Sequence, residues 1–204
     1  MGKRNRALPL APDARRQAIV EAVIPLLIER GAAVTTREMA EAAGIAEGTI
    51  FRVFPDKSAL IYEALRTSFD PGPVQKDLAA VYEGALLPVQ LAEAARILLD
   101  RLDQVLALMA VLRTIPHDAI PDHPSGPPHF VITSNAAINE SLARIFERHR
   151  DQLRIEPARA ASAFRGLLLA NAHPALSFGE RLTVDEVVDV LLVGIAQHAE
   201  SKVG

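Results

Sequence analysis

Apolar residues recur along the chain at three- and four-residue steps, broken by charged and small residues, while alternating Val/Ile/Thr runs bounded by turns are scarce. The pattern predicts an all-α fold, with helices over residues 13–30, 35–43, 46–53, 57–69, 74–86, 89–113, 128–150, 157–172 and 183–200. The punctuation agrees: Gly31 follows the first helix, Gly44 the second, Pro55-Asp56 precedes the fourth and Pro71-Gly72-Pro73 follows it. Thr114–Pro128 holds five prolines and reads as an extended loop. No internal repeat is present.

The second helix has a legible start. Thr35-Thr36-Arg37-Glu38 has the spacing of a capping box, in which the Thr35 hydroxyl accepts from the Glu38 amide while the Glu38 carboxylate accepts from the Thr35 amide. Gly44 then supplies a left-handed residue for a sharp turn into GIAEGTIFRVF, residues 44–54. That stretch is a poor helix by propensity, with two glycines and four β-branched residues, so tertiary packing must hold it. Burying Ile45, Ile50 and Phe54 against Ile19, Val23, Leu27 and Leu60 leaves Glu47, Gly48, Thr49, Phe51 and Arg52 facing outwards. A merely solvated face would favour Lys and Glu. Against DNA the set makes sense: Gly48 permits close backbone approach to phosphate, Thr49 can bond phosphate or touch a thymine methyl, and Arg52 can reach phosphate or the guanine edge.

Charge sharpens this picture. The overall balance is −3, but residues 1–68 carry 10 Lys+Arg against 8 Asp+Glu, and the remainder carries 12 against 17. A basic front on an acidic body suits a polyanion binder. The chain lacks cysteine, which excludes disulfides, thiol nucleophiles and cysteine metal sites and fits a reducing compartment. The start MGKRNRALPLAPDARRQ lacks a signal-peptide apolar stretch, and no run approaches a membrane span, so a soluble, cytoplasmic protein with no membrane partner is expected.

The stretch TTREMAEAAGIAEGTIFRVFPDKSALIYEAL resembles the amino-terminal helix-turn-helix of TetR-family transcriptional regulators. The resemblance runs from about Ala18 to Leu65 and rests on Gly31, Thr35, Ala40, Ala43-Gly44, Gly48-Thr49, Phe54 and Lys57. It implies a flexible basic arm over 1–12, a helix-turn-helix DNA-binding domain over 13–56, a linking helix over 57–69, and a ligand-binding and dimerisation domain over 70–204. It further implies a homodimer, a small-molecule effector and double-stranded operator DNA as partners. Thr35, Thr36 and Arg37 would lie by the phosphates, Glu47, Gly48, Thr49, Phe51 and Arg52 would face the groove, and Lys57 would hold a phosphate. The family commonly has serine at Ala46, tyrosine at Phe51 and histidine or tyrosine at Val53, so several neutral phosphate contacts are missing here. Lys3, Arg4 and Arg6 form either a minor-groove arm or a solubilising terminus.

In the body, Leu98, Leu102, Val105 and Met109, with Phe130, Ile138 and Leu142, form apolar stripes that read as core or as the lining of an effector pocket. Asn135 and Asn139 are either ligand-orienting amides or exposed helix surface. Phe164, Leu168 and Asn171 on the eighth helix, with Val188, Leu191, Leu192 and Ile195 on the ninth, are expected at a dimer interface, Gly194 allowing close helix approach.

Catalytic chemistry is not expected. His117, His123 and His129 lack metal-site spacing, and GxSxG, GxxxxGK[ST] and GxGxxG are all absent, so no metal, cofactor or catalytic residue is assigned. The expectation is a ligand-responsive dimeric repressor released from a palindromic operator by a small apolar effector. The rival is an all-α small-molecule carrier or enzyme without specific DNA binding.

Overall fold

The computed structural model describes residues 11–115, 127–173 and 180–195. Nine α-helices and no β-strand lie among them: α1 (Pro12–Arg30), α2 (Thr36–Ala42), α3 (Glu47–Val53), α4 (Lys57–Ser68), α5 (Gly72–Ala79), α6 (Leu87–Leu112), α7 (His129–Glu147), α8 (Pro157–Ala172) and α9 (Val184–Ile195). The all-α class is as the periodicity predicts. The fifth helix is shorter than expected: it ends at Ala79, and a turn over residues 80–86 precedes α6. The buried Gln90 amide holds that turn by donating to the carbonyls of Glu83 (3.1 Å) and Ala85 (2.7 Å), side-chain ties that apolar periodicity does not register. The basic arm, His117, His123 and most of the proline-rich loop lie outside the described residues, as does any extension of α9 to residue 200.

The chain divides into two compact units. Of the described residues, those through Phe69 and those from Leu106 to Pro128 form the first; those in Asp70–Val105 and from His129 onwards form the second. The division by sequence at residue 70 assigned 106–128 to the second.

In the first unit α1 packs on α2 and α4, and α2 on α3. Ile19, Val23 and Leu27 of α1, Met39 and Ala40 of α2, Ile50 of α3, Phe54 and Leu60 are all buried. Each large side chain removed from water in this way contributes about 1.5–3 kcal/mol. Ile45 is only half-buried, because it lies in the turn before α3 and not within it. Gly31 (φ 65°) and Gly44 (φ 66°) occupy the left-handed region where the chain leaves α1 and α2.

The capping box of α2 is complete. The Glu38 amide donates to the Thr35 hydroxyl (3.3 Å), and the Thr35 amide (2.7 Å) and hydroxyl (2.8 Å) both donate to Glu38 Oε2. Arg30 donates to the other carboxylate oxygen. The Thr35 amide, the Thr35 hydroxyl and Arg30 together hold the Glu38 carboxyl down from its ordinary 4.5 to about 2.

The second unit is built on one apolar core, to which α5 gives Val74 and Leu78, α6 Leu87 and Leu91, and α7 Leu142, Ile145 and Phe146. Helix α8 adds Phe164 and Leu168, and α9 adds Val187, Val188, Leu191 and Ile195. Phe146 and Phe164 meet edge to face at 6.2 Å. A second capping box starts α9: Thr183 and Glu186 exchange the same bonds as Thr35 and Glu38, and the Thr183 donors hold the Glu186 carboxyl low. Arg154 fastens the other end of α9, its amide donating to the Ile195 carbonyl (2.8 Å) and its guanidinium to that of Gly194.

Since the folded-state value of Glu38 is depressed, its stabilisation is complete above pH 4.5 and is lost as the pH falls towards about 2. Thermal melts of Glu38→Ala and the unmodified protein should therefore converge as the pH is lowered through that window. A gap that stays constant would exclude the capping carboxylate as its source. Removing the cap hydroxyl with Thr35→Ala should cost about 1 kcal/mol, measured by urea unfolding at neutral pH.

Candidate nucleic-acid interface

Helix α3 shows its outer face without obstruction. Glu47, Gly48 and Arg52 are exposed, Thr49 is half-buried, and Phe51 is 51% exposed, an unusual state for a phenylalanine in a packed module. A Cβ built at Gly48 meets nothing within 4 Å, so no packing among the described residues requires the glycine. Arg52 makes no hydrogen bond or ion pair among the described residues and is free to reach outwards. No side chain caps the start of α3, where Ala46 stands. The structure thus brings Glu47, Gly48, Thr49, Phe51 and Arg52 onto one accessible surface, with Ile50 and Phe54 on the opposite, buried one.

The residues expected at phosphate are more committed than their types suggest. The Thr35 hydroxyl gives its only proton to Glu38, so it is an acceptor towards anything else. Arg37 pairs with Glu41 at 3.1 Å on the exposed face of α2, a weak tie that an anion can replace. Thr36 is half-buried in the first turn of α2, where the main-chain amides of Thr36 and Arg37 lack helical partners. Lys57 sits at the first position of α4, but its ammonium donates to the Ala32 carbonyl at 3.0 Å, tying α4 to the turn after α1. Two of its three donors remain for an anion.

In the second unit several expectations change. Asn135 is held by Arg165, which donates to its carbonyl (2.9 Å) and its side-chain oxygen (2.7 Å). Asn139 donates to the Ala158 carbonyl (3.5 Å) and accepts from Ser162 (3.3 Å). These amides stitch α7 to α8 and do not project freely towards a ligand. Leu142 is fully buried core, while Leu98, Leu102, Val105, Phe130 and Ile138 are half-buried, and Met109 is half-buried within the first unit.

The residues expected at a dimer interface are also spent within the chain. Phe164, Leu168, Val188, Leu191 and Ile195 are buried in the second unit's own core, and Leu192 packs against it. Asn171 exchanges two 2.9 Å hydrogen bonds with the backbone of Leu182, fixing the segment that leads into α9. The periodicity located a buried face but could not say what buries it. The apolar positions left outside are Leu169, Val190 and Val193, at 45%, 55% and 71% exposure, together with Gly166 and Gly194.

One residue of the first unit escaped sequence reasoning. Arg16 of α1 donates to the Val53 carbonyl at the end of α3 (3.0 Å), lies 4.3 Å over the Phe54 ring and comes within 3.9 Å of Glu63 on α4. No local signal marks it, since all three partners are distant in sequence.

Among the described residues no group of three or more His, Cys, Asp or Glu side chains converges to hold a metal ion, and no helix is long and apolar enough to cross a membrane. Residues 19–64 match the family model for bacterial regulatory proteins of the tetR family. No curated protein matches the sequence. Among solved structures, a chain described as a TetR-family transcriptional regulator of Mesorhizobium loti MAFF303099 is similar with TM-score 0.70 at 19% identity, over 93% of this chain and 100% of that one. The flavonoid-responsive regulator FrrA is similar with TM-score 0.56 at 22% identity, over 91% and 98% of the two chains. The ketosteroid transcriptional regulator KstR2 of Mycobacterium tuberculosis follows with TM-score 0.54 at 18% identity, over 91% and 97%. At such identities these likenesses speak to the fold.

Proposed function

We propose that this chain, whose residues 19–64 match the tetR-family model and whose fold is that of solved TetR-family regulators, is a dimeric helix-turn-helix repressor that leaves a palindromic operator when a small apolar effector binds. The observation that carries this reading is the outer face of α3, where a glycine, a small hydroxyl, a half-exposed phenylalanine and an unpaired arginine replace the lysines and glutamates of a solvated surface. Placed in a major groove, Gly48 lets the backbone approach, Phe51 meets thymine methyls or sugar, and Arg52 takes phosphate or a guanine edge. Thr35, lacking a free proton, contributes position more than affinity. Thr36, Arg37 and Lys57 supply the donors for phosphate.

The homodimer is assigned to the outward sides of α8 and α9. Leu169, Val190 and Val193 leave apolar area in water, and Gly166 and Gly194 have open space at Cβ into which a partner helix fits. Two α3 helices related by a two-fold axis then address half-sites about one helical turn apart. The effector is read as apolar because Leu98, Leu102, Val105, Phe130 and Ile138 keep part of their surface unburied. Two chains of this fold carry effector chemistry in their descriptions, a flavonoid and a ketosteroid. Effector binding acts as a population shift, biasing α4 towards a spacing of the two α3 helices that no longer fits adjacent grooves.

Selection of random duplex DNA on the purified protein at near-physiological salt should return a palindromic consensus; retention without one would favour a carrier of apolar molecules. On that consensus, Arg52→Ala should weaken binding by about 1–3 kcal/mol if Arg52 reads a base, and nearly equally on all sequences if it holds phosphate alone. Gly48→Ala separates folding from binding: it should raise stability by about 0.5–1 kcal/mol, because alanine favours helix and has room, yet reduce operator affinity by crowding the backbone–DNA contact. Equal or better DNA binding by Gly48→Ala would remove the close-approach role. Val190→Asp combined with Val193→Asp should sediment as a helical monomer; a persisting dimer would refute the interface assignment.

A further inference from the structure

We infer that Arg16 is a positioning residue for the DNA-reading helix: from α1, its guanidinium closes the carboxyl-terminal end of α3 and joins that end to α4. The inference rests on the DNA-binding reading of α3 for its functional consequence, and on geometry alone for its structural one.

Helix α3 has seven residues and no side-chain cap at its start. At its end the Phe54 amide returns to the Ile50 carbonyl, leaving the last carbonyls without helical partners. Arg16 Nη1 donates to one of these, Val53, at 3.0 Å, which also places a fixed positive charge at the negative end of the helix. The same guanidinium lies over the Phe54 ring at 4.3 Å, and Phe54 is the buried residue on which α3 is anchored. Its Nε faces Glu63 on α4 at 3.9 Å, and Glu63 is independently held by Arg66 at 2.6 Å. One side chain therefore touches the end of α3, the anchor behind it and the linking helix. Lysine cannot reproduce this, because a point-charge ammonium lacks the planar fork that lies flat on a ring while donating sideways. Arg16 does not belong to the outer face of α3, so its effect on DNA passes through the placement of Phe51 and Arg52.

The test compares Arg16→Ala and Arg16→Lys with the unmodified full chain. Hydrogen exchange of the free protein should accelerate in α3 by about tenfold in Arg16→Ala, and less in Arg16→Lys, while α2 and α4 keep their protection. Unchanged exchange in α3, or an equal rise across all four helices, would overturn the positioning role. Where Arg16→Ala fails to fold, Arg16→Lys carries the same comparison. On the duplex selected by the unmodified protein, both variants should bind about tenfold more weakly or worse, with an unchanged dependence on salt. A salt slope lowered by about one would mean that Arg16 itself holds a phosphate, which also overturns the inference. If the unmodified protein selects no consensus, the DNA-binding reading fails, whereas the exchange experiment still decides whether Arg16 orders α3.

Discussion

A seven-residue helix cannot hold itself in water, and the first unit is organised around that constraint. Helix nucleation is unfavourable and isolated helices of two turns do not persist, so α3 exists only as far as other elements hold it. Ile50 and Phe54 supply the anchor by complete burial. Gly44 lets the chain reverse tightly enough for α3 to pack on α2, and the Thr35–Glu38 capping box fixes where α2 begins. Because the buried side meets the energetic demand, the outer side carries no structural duty. That freedom is what allows a glycine at position 48 and a half-exposed phenylalanine at 51, both costly in a helix that had to stabilise itself.

The polar groups around this helix divide between holding the fold and remaining available. Thr35 gives its proton to Glu38, Lys57 gives one donor to Ala32, and Arg37 leans on Glu41 at an exposed site where the pair contributes at most about 1 kcal/mol. Arg52 alone among these positions stands uncommitted. On the proposed DNA-binding reading, such a surface draws its affinity from a few movable charges and from main-chain amides at helix starts. On that same reading, Ala46, Phe51 and Val53 offer no hydroxyl or imidazole to phosphate, so orientation of α3 would matter more than the number of neutral contacts it makes.

Local signals were legible in the sequence, and long-range ones were not. The capping box at Thr35, the left-handed glycines and the outward set on α3 depend on neighbours within four residues, and each lies where its spacing puts it. The end of α5 was misplaced: residues 80–86 form a turn instead, which the Gln90 amide ties down from the next helix by donating to the Glu83 and Ala85 carbonyls. Asn135 and Asn139 read as ligand-orienting amides or exposed surface, and Asn171 as a dimer-interface residue, because Arg165, Ser162 and the Leu182 backbone are brought to them only by folding. Arg16 was invisible for the same reason. The apolar stripes of α8 and α9 expected at a dimer interface lie as buried faces within the second unit's own core, since a 3.6-residue period reports burial without naming the neighbour.

Helix α9 has more apolar positions than a single buried face uses. Val187, Val188, Leu191 and Ile195 fill the core, yet Val190 and Val193 continue the apolar surface onto the opposite side at 55% and 71% exposure. Each such valine left in water forgoes roughly 25 cal/mol for every Å² that a partner would cover. Asp185, Glu186 and Asp189 on the same helix show that charge is compatible with its outer surface, so the valines are not forced there by composition. On α8 the matching positions are Leu169 and the space above Gly166, which no described residue approaches within 4 Å of a Cβ built there. An outward apolar stripe bordered by glycines fits a helix of like kind more closely than it fits solvent, which is the physical ground on which the proposed homodimer is placed at α8 and α9.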